Sequence, residues 1–356
     1  MRPLDFAEVR RVLVRLPNWM GDTVMALPAL RAVREAFPHR TIVLIGPWAG
    51  LLRNQNVGNQ CVEQSRNARH QLQLIRGLRS DAATLALLLP NSFHSAVIAW
   101  LLGSRWRVGY RSEGRSLLLT HPVPPPPHLT HQVDAYLHLV ESIGVSVRER
   151  IPRFTVTEDE LARAGELFWS LGIDPKSRLV GIQLGAAFGP SKRWIPERIV
   201  ELVERLSKEG DAEPLLLGSR EEEPLAQWIA ERVSTPLHSL VGKETPDQLP
   251  AILTRCRGLV SADSGPAHLA AAVGTPVVTL FGPTDPRKTR PLGERQSALW
   301  AQVSCSPCFL PHCPIDHVCM TNITTQQVLV DVTESLRVSD RDETSRGMPS
   351  DNGPSH

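Results

Sequence analysis

The sequence has few aromatic residues and no long apolar run. Aromatic residues make up 5% of its 356 positions, and only two of them are tyrosines. No apolar stretch reaches the roughly 20 residues that a helix needs to span a bilayer. The N-terminal segment carries charges throughout, unlike a secretory signal. These absences predict a soluble, cytoplasmic protein.

Lysine is absent from residues 1–130, although arginine is abundant there. This part has 16 Arg and seven acidic residues, a net charge of +9, whereas the remainder has 23 basic and 30 acidic residues, a net charge of −7. The asymmetry predicts that the first part meets an anionic partner. The alternative is an arginine-rich solvated surface. Because the basic residues are scattered and no recognition motif accompanies them, nucleic acid is not a predicted partner.

Two common nucleotide-binding patterns are also missing. The sequence has no Gly-x-x-x-x-Gly-Lys-Ser/Thr loop, and no Gly-x-Gly-x-x-Gly follows the first apolar run. Their absence argues against a P-loop enzyme and against a simple dehydrogenase.

Short apolar runs alternate with helical patterns in two blocks. Most of the runs are near-continuously apolar, as expected for parallel strands buried on both faces. We therefore predict an α/β protein with two Rossmann-like, doubly wound parallel-sheet domains. The predicted strands are 12–16, 41–46, 84–90, 107–111, 179–185, 214–219, 258–263 and 276–282. The predicted helices include 22–37, 94–102, 131–143, 158–171, 195–209, 222–233 and 324–338.

The expected domains are residues 1–155 and 156–338, followed by a disordered tail at 339–356. The tail has almost no apolar residues. The proline-rich tract 120–132, "THPVPPPPHLTHQ", is predicted to be an extended loop in or near the edge of the first domain, because proline has no amide donor.

The first motif, "NWMGDTVMALPALRAVREAF", spans residues 18–37 and follows the first predicted strand. Gly21 suits a tight turn from strand to helix. Asp22 then lies at or near the helix N-cap, where a carboxylate accepts backbone N–H groups. The functional alternative places Asp22 at the carboxyl end of the strand, where α/β sheets bind ligands and a carboxylate can take a proton from a hydroxyl. Both interpretations can hold together.

The second and third motifs have features of phosphate sites. "QLGAAFGPSKRWIP" (183–196) has small residues that let a ligand approach backbone N–H groups, followed by Lys192; an ordinary loop with a solvated lysine is the alternative. In "SADSGPAHLAAAVGTPVVTLFGPTDP" (261–286), a strand ends at Asp263, and Ser264 and Gly265 lead into a helix. The helix N-terminus is suited to a diphosphate. His268 follows in the first turn as a donor or a structural histidine.

The three motifs, in this order, resemble the ADP-heptose:lipopolysaccharide heptosyltransferases, glycosyltransferase family 9. The resemblance extends to about residue 337 and is closest to the type II branch, since Ala187 and Phe188 stand where the type I branch has hydroxyl side chains. It implies a GT-B fold with an active site in a cleft between the domains. It also implies an inverting, metal-independent transfer that needs no cofactor besides the donor substrate, ADP-L-glycero-D-manno-heptose.

The resemblance also implies a role for each site residue. Asp22 would be the catalytic base. Lys192, Ser264, Gly265 and His268 would bind the donor diphosphate, and Asp263 would orient the donor heptose. Glu221 or Glu222 would hold the nucleotide ribose. The implied acceptor is lipid A–Kdo–heptose, which receives its second heptose. A peripheral contact with the inner leaflet of the inner membrane, on its cytoplasmic face, would suit the basic first domain.

Four cysteines lie close together in "CSPCFLPHCPIDHVCM", at Cys305, Cys308, Cys313 and Cys319. A cytoplasmic location argues against stable disulfides. Three interpretations stay open: a loop with reduced thiols, a structural metal site, or redox regulation. No catalytic metal is predicted.

Three alternatives to the predicted activity stay open. The same donor could serve another acceptor, such as the first or a branch heptose, or a protein. The chain could be a nucleotide-sugar epimerase, since those enzymes share the GT-B architecture. It could also bind a nucleotide sugar without catalysis, in which case loss of Asp22 would be tolerated.

Overall fold

The computed structural model describes residues 4–64, 67–79 and 83–346. Two compact units divide the chain: Met1–Glu160 with Pro286–Gly293, and Leu161–Asp285 with Glu294–His356. The division follows Glu160, whereas the sequence analysis placed it after residue 155. No sequence signal separated Pro286–Gly293 from the second unit. Among the described residues, no helix is both long and apolar enough to cross a membrane.

The first unit contains a parallel sheet with the strand order β3-β2-β1-β4-β5-β6. Its strands are β1 (Arg11–Arg15), β2 (Thr41–Gly46), β3 (Gln60–Glu63), β4 (Thr84–Leu88), β5 (Trp106–Tyr110) and β6 (His121–Val123). Its helices are α1 (Met20–Met25), α2 (Leu27–Ala36), α3 (Ala68–Leu78), α4 (Phe93–Leu101), α5 (Gln132–Glu141) and, beginning at the unit boundary, α6 (Glu158–Ser170).

The second unit repeats this topology with the strand order β12-β11-β10-β7-β8-β9. Its strands are β7 (Leu179–Gln183), β8 (Glu213–Leu217), β9 (His238–Ser239), β10 (Gly258–Ala262), β11 (Val277–Phe281) and β12 (Gln296–Trp300). The helices that follow α6 are α7 (Pro196–Glu209), α8 (Glu223–Ala230), α9 (Leu249–Arg255), α10 (Gly265–Val273), α11 (Pro286–Thr289), α12 (Val318–Thr321) and α13 (Thr325–Arg346). Of these, α11 belongs to the first unit.

The prediction of two Rossmann-like parallel sheets is confirmed. All eight predicted strands are present, and every residue of β4, β10 and β11 is buried, as their continuous apolar sequences indicate. The sequence analysis missed β3, β6, β9 and β12, which lie at or near the sheet edges. These strands are short or carry polar residues, so their sequences lack the apolar run of a central strand.

The proline-rich tract 120–132 contains β6, which pairs with β5 at the sheet edge. Pro122 is tolerated there because an edge strand has one side without a partner. The ring of His131, at the end of the tract, bonds the carbonyl of Arg290 at 3.0 Å from Nε2. This contact helps to explain why Pro286–Gly293 belongs to the first unit.

Two helices differ from their predicted bounds. The helix expected at 22–37 is divided at Ala26 into α1 and α2, and Pro28 lies in the first turn of α2, where its missing N–H costs nothing. Helix α13 continues to Arg346, past residue 338, where a disordered tail was expected to begin. Ser339–Arg346 contains no glycine or proline to end a helix, and Gly347 and Pro349 follow it. Residues 347–356 lie outside the described residues.

Candidate functional site

The residues singled out by the sequence follow the central strands of the two sheets. In each sheet the strand order reverses at the central pair, β1 and β4 in the first unit and β7 and β10 in the second. Ligands of open α/β sheets bind outside the carboxyl ends of the strands at such a point. Asp22 comes after β1, Lys192 after β7 and Asp263 directly after β10.

Asp22 is half-buried and lies in the first turn of α1, but it is not the N-cap residue. The N-cap is Trp19, whose side chain makes no capping hydrogen bond. The expectation of an N-cap at Asp22 is therefore wrong, because the helix begins at Met20, before the Gly-Asp pair. A carboxylate in the first turn is still stabilised by the positive end of the helix dipole.

Tyr136 is a buried neighbour of this acidic turn that the sequence analysis did not select. It is 3% exposed and lies on α5, which packs against α1. Burial raises the pKa of Tyr136 well above its ordinary value, and the negative charge of Asp22 raises it further. The phenol therefore stays protonated and neutral beside the carboxylate.

Lys192 is paired with a residue 71 positions further along the chain. It closes the one-turn 3₁₀ helix Pro190–Lys192 and is buried. Its Nζ donates to Asp263 Oδ2 at 2.6 Å and to the Asp263 carbonyl at 2.8 Å. The ammonium also lies 5.0 Å from the centre of the Phe188 ring. This geometry fixes the direction of the lysine and contradicts the alternative of a solvated side chain.

Asp263 is the centre of a small polar cluster. Its carboxylate is 5% exposed, and Oδ2 accepts a hydrogen bond from Thr284 Oγ1 at 2.7 Å as well as the one from Lys192. His268 Nε2 lies 3.9 Å from Oδ1. Burial by itself would raise the pKa of Asp263, but the hydrogen bond from His268 and the charge of Lys192 outweigh it, so the pKa lies well below its ordinary value. The carboxylate is therefore ionised.

Ser264 and Gly265 form the N-terminus of α10. Ser264 is the N-cap, but its side chain makes no capping bond. Its Oγ instead lies 2.8 Å from Ser261 Oγ. The first N–H groups of an α-helix have no partner within the helix, so they point toward a ligand position close to Lys192 and Asp263. His268, in this same helix, is buried.

The structure distinguishes between Glu221 and Glu222, which the sequence could not. Glu221 is exposed, whereas Glu222 is 5% exposed. Glu222 Oε2 accepts from the N–H and the hydroxyl of Ser219, and Oε1 accepts from Arg193 at 3.0 Å. A Cβ at Gly185 would lie only 2.7 Å from the Glu222 carboxyl carbon. Gly185 thus leaves the space that this carboxylate occupies beside β7.

Three residues of these clusters were missed by sequence reasoning: Thr284, Arg193 and Glu244. Thr284 and Arg193 lie inside the quoted motifs, but nothing in the spacing indicates their partners. Glu244 Oε1 accepts from the N–H of Gly218 at 3.0 Å, while its buried Oε2 has no hydrogen-bond partner. Burial, with a smaller contribution from the Glu222 carboxylate, raises the pKa of Glu244 to about 7.

The late cysteines are free thiols. Cys305 is exposed, Cys308 and Cys313 are half-buried, and Cys319 is buried. Burial raises the pKa of Cys319, and the other three thiols raise it further. Within residues 4–64, 67–79 and 83–346, no group of three or more His, Cys, Asp or Glu side chains is arranged to hold a metal ion. The metal and redox hypotheses stay predictions from the sequence.

Comparison with known proteins identifies the family. The family described as "Glycosyltransferase family 9 (heptosyltransferase)" matches residues 71–319. Lipooligosaccharide heptosyltransferase 2 of Haemophilus ducreyi is 30% identical over 304 residues, 80% of this chain and 87% of that protein. Lipopolysaccharide heptosyltransferase 2 of Escherichia coli is 28% identical over 304 residues, 80% of this chain and 86% of that protein.

A solved structure agrees with these relatives. The structure of E. coli ADP-heptose lipopolysaccharide heptosyltransferase II superposes with a TM-score of 0.79 at 26% identity, over 93% of this chain and 99% of that one. The predicted GT-B class, with two Rossmann-like domains, is thereby confirmed. Since the family match spans well over half of the sequence, this chain belongs to glycosyltransferase family 9, the heptosyltransferases.

Proposed function

We propose that the protein transfers heptose from ADP-L-glycero-D-manno-heptose to lipid A–Kdo–heptose, adding the second heptose of the lipopolysaccharide core. The observation that carries this proposal is the Lys192–Asp263 pair beside the N-terminus of α10. A buried cation and a helix N-terminus together favour a diphosphate. The type 2 relatives support the choice of donor and acceptor.

In the proposed reaction an acceptor hydroxyl oxygen attacks the anomeric carbon of the heptose. The bond from that carbon to the diphosphate oxygen breaks, ADP leaves with the electron pair, and the configuration inverts. Asp22 takes the proton of the attacking hydroxyl. A carboxylate in the first turn of α1, at the carboxyl edge of the sheet, is suited to act as this general base.

Lys192 stabilises the departing ADP. Its ammonium has three N–H groups, of which two are directed to Asp263, so one can be donated to a diphosphate oxygen. The N–H groups at Gly265, together with Ser264 and His268, bind the same diphosphate. Negative charge develops on the leaving group in the transition state, and positive charge placed beforehand stabilises it there more than in the ground state. The proposal requires no metal or other cofactor.

Asp263 and Glu222 complete the donor site in this proposal. Asp263 orients Lys192 through two hydrogen bonds, and the contact with the donor heptose that the resemblance implies remains part of the proposal. Glu222, rather than Glu221, holds the ribose hydroxyl groups, because its buried carboxylate is fixed by Ser219 and Arg193. The uncertainty left by the sequence is thereby reduced to one candidate.

We also propose that the first unit lies on the cytoplasmic face of the inner membrane. Helix α4 exposes one apolar face, on which Phe93, Trp100 and Leu101 are 48%, 56% and 37% exposed. An apolar face containing Trp, on a basic unit, is typical of helices that bind anionic lipid surfaces. Sedimentation with anionic vesicles tests this: wild type should co-sediment, and Trp100→Ser should co-sediment several-fold less. Equal sedimentation of the two proteins would contradict the contact.

The transfer itself is tested by mass spectrometry of an acceptor mixture. Wild type, Asp22→Asn and the control Asp159→Asn each receive ADP-heptose and monoheptosylated Kdo–lipid A. Asp159 lies in the first turn of α6 and is exposed, so this control alters the same kind of helix position away from the site. One added heptose is expected with wild type and the control, and none with Asp22→Asn.

Each other outcome points to a different alternative. Activity in Asp22→Asn would remove the assignment of the base. Conversion of ADP-heptose into an isomer without any added mass on the acceptor would indicate an epimerase. Binding of ADP-heptose without turnover by any acceptor would indicate a non-catalytic binder, and transfer to a different acceptor would correct only the acceptor.

A further inference from the structure

The segment of residues 303–320, which we call the brace segment, packs against the proposed donor site. It contains four of the six cysteines and, at its end, the short helix α12. The proposed mechanism assigns no role to it. Its hydrogen bonds nevertheless reach two separate loops, the one that ends at Lys192 and the one that contains Thr284.

The first loop is held by three residues of the brace segment. The Ser191 N–H donates to the Pro311 carbonyl at 3.1 Å, and the Ser191 hydroxyl donates to the Leu310 carbonyl at 2.6 Å. His317 Nε2 bonds the Ser191 carbonyl. Gly189 has a φ of +148°, and a Cβ there would lie 2.4 Å from the Pro311 carbonyl oxygen. The backbone directly before Lys192 is thus enclosed by the brace segment.

The second loop is held in a similar way. The Ser306 hydroxyl donates to the Gly282 carbonyl at 2.6 Å, and the Phe309 N–H donates to the Pro283 carbonyl at 2.8 Å. The next residue is Thr284, which donates to Asp263. The brace segment therefore holds both loops whose side chains meet at the Asp263 carboxylate.

His317 is the most specific contact of the brace segment. Its φ is +55°, in the left-handed region, and it is the N-cap of α12. This region is unfavourable for residues with a Cβ, although histidine and asparagine adopt it more often than most. Because a carbonyl only accepts hydrogen bonds, Nε2 must carry the proton that it donates to Ser191. A strained backbone that aims a side chain at one partner suggests a functional constraint.

We propose that His317 is a positioning residue for Lys192. By holding the Ser191 carbonyl, it fixes the one-turn helix Pro190–Lys192 and thereby the direction in which Lys192 meets the donor diphosphate. This inference rests on the proposed function, since it assigns His317 to the leaving-group side of that reaction. It also makes a separate statement about the order of residues 186–193, which does not depend on any substrate.

Two substitutions separate positioning from stability. His317→Gln keeps an amide N–H at about the reach of Nε2 but is less suited to a positive φ. His317→Asn suits the positive φ, but its shorter amide cannot reach the Ser191 carbonyl. His312→Asn is the matched control, because His312 is an exposed histidine of the same segment.

Steady-state kinetics, thermal unfolding and amide hydrogen exchange are measured on all four full-length proteins. We expect His317→Asn to lower kcat/KM for the donor about tenfold, as the loss of one positioning hydrogen bond does, with the acceptor KM unchanged. His317→Gln should retain most of the activity although its Tm is equal to or below that of His317→Asn. Exchange in residues 186–193 should rise in His317→Asn and stay at the wild-type rate in His312→Asn.

Some results would overturn the proposal. If activity follows Tm, so that His317→Asn is the more active variant, His317 has only a structural role. Wild-type kinetics and exchange in His317→Asn would also reject it. If wild type transfers no heptose, the proposed function fails, whereas faster exchange of residues 186–193 in His317→Asn alone would still support the positioning of the loop.

Discussion

The Lys192–Asp263 pair allows a quantitative test of the proposed donor site. Its Nζ–Oδ2 distance is 2.6 Å, and the two side chains are 11% and 5% exposed. At an effective dielectric constant of about 20, the attraction is about 6 kcal/mol before the cost of desolvation is subtracted. Removing one partner of a buried pair leaves the other charge uncompensated and typically costs about 3–5 kcal/mol.

The perturbation is a double-mutant cycle with Lys192→Met and Asp263→Asn. Each single variant should lose about 3 kcal/mol in the free energy of unfolding. The double variant should lose about the same amount rather than the sum, because it contains no buried charge without a partner. The expected coupling is therefore about 2–3 kcal/mol.

Urea unfolding followed by tryptophan fluorescence measures these free energies. Trp194 is 6% exposed in the core of the second unit and donates to the Ile323 carbonyl, so its environment changes when this unit unfolds. The control cycle uses Arg178 and Asp211, a pair in the same unit whose side chains are 31% and 92% exposed. Its coupling should be below about 1 kcal/mol. Additive effects at Lys192 and Asp263, within about 0.5 kcal/mol, would refute the buried pair.

Three further substitutions test other parts of the structure. Glu244→Gln should raise stability at pH 8 by about 1–2 kcal/mol and change it little near pH 4.5, because the folded protein holds a proton on this residue up to about pH 7; a pH-independent effect in urea unfolding would reject this. Gly185→Ala should weaken ADP binding by about tenfold or more, since the new Cβ displaces the Glu222 carboxylate; calorimetry with unchanged affinity would contradict the ribose assignment. Arg115→Met should cost about 3 kcal/mol in urea unfolding, because the fully buried guanidinium donates to several backbone carbonyls; a loss below about 1 kcal/mol would show that these bonds contribute little.

Much of the fold was predictable because the central strands are continuous apolar runs. The runs that became β1, β4, β7 and β10 indicate burial on both faces without any knowledge of their neighbours. The edge strands were missed because water or a loop covers part of their surface, so their sequences look like loops. The start of α1 was misplaced for a local reason: a Gly-Asp pair resembles a helix cap, while the helix begins at Met20.

The site was predictable as a set of positions but not as a set of contacts. Asp22, Lys192 and Asp263 could be chosen because each follows a predicted strand, and ligands bind at strand ends. The choice between Glu221 and Glu222 required the structure, since adjacent residues differ in burial only after α8 packs against the sheet. Spacing in the sequence carries no sign of that difference.

The sequence by itself determined the two blocks of buried parallel strands, the turns that follow their central strands, and the residues with suitable chemistry at those turns. These properties depend on neighbouring residues, through apolar periodicity, glycine and helix signals. Only the tertiary structure decided that Lys192 pairs with Asp263, that Glu222 is buried, and that the cysteine-containing segment holds the loop before Lys192. Each of these contacts joins residues far apart in the chain or depends on packing. They form because the strand order brings distant loops to one edge of the sheet, and no local pattern encodes that order.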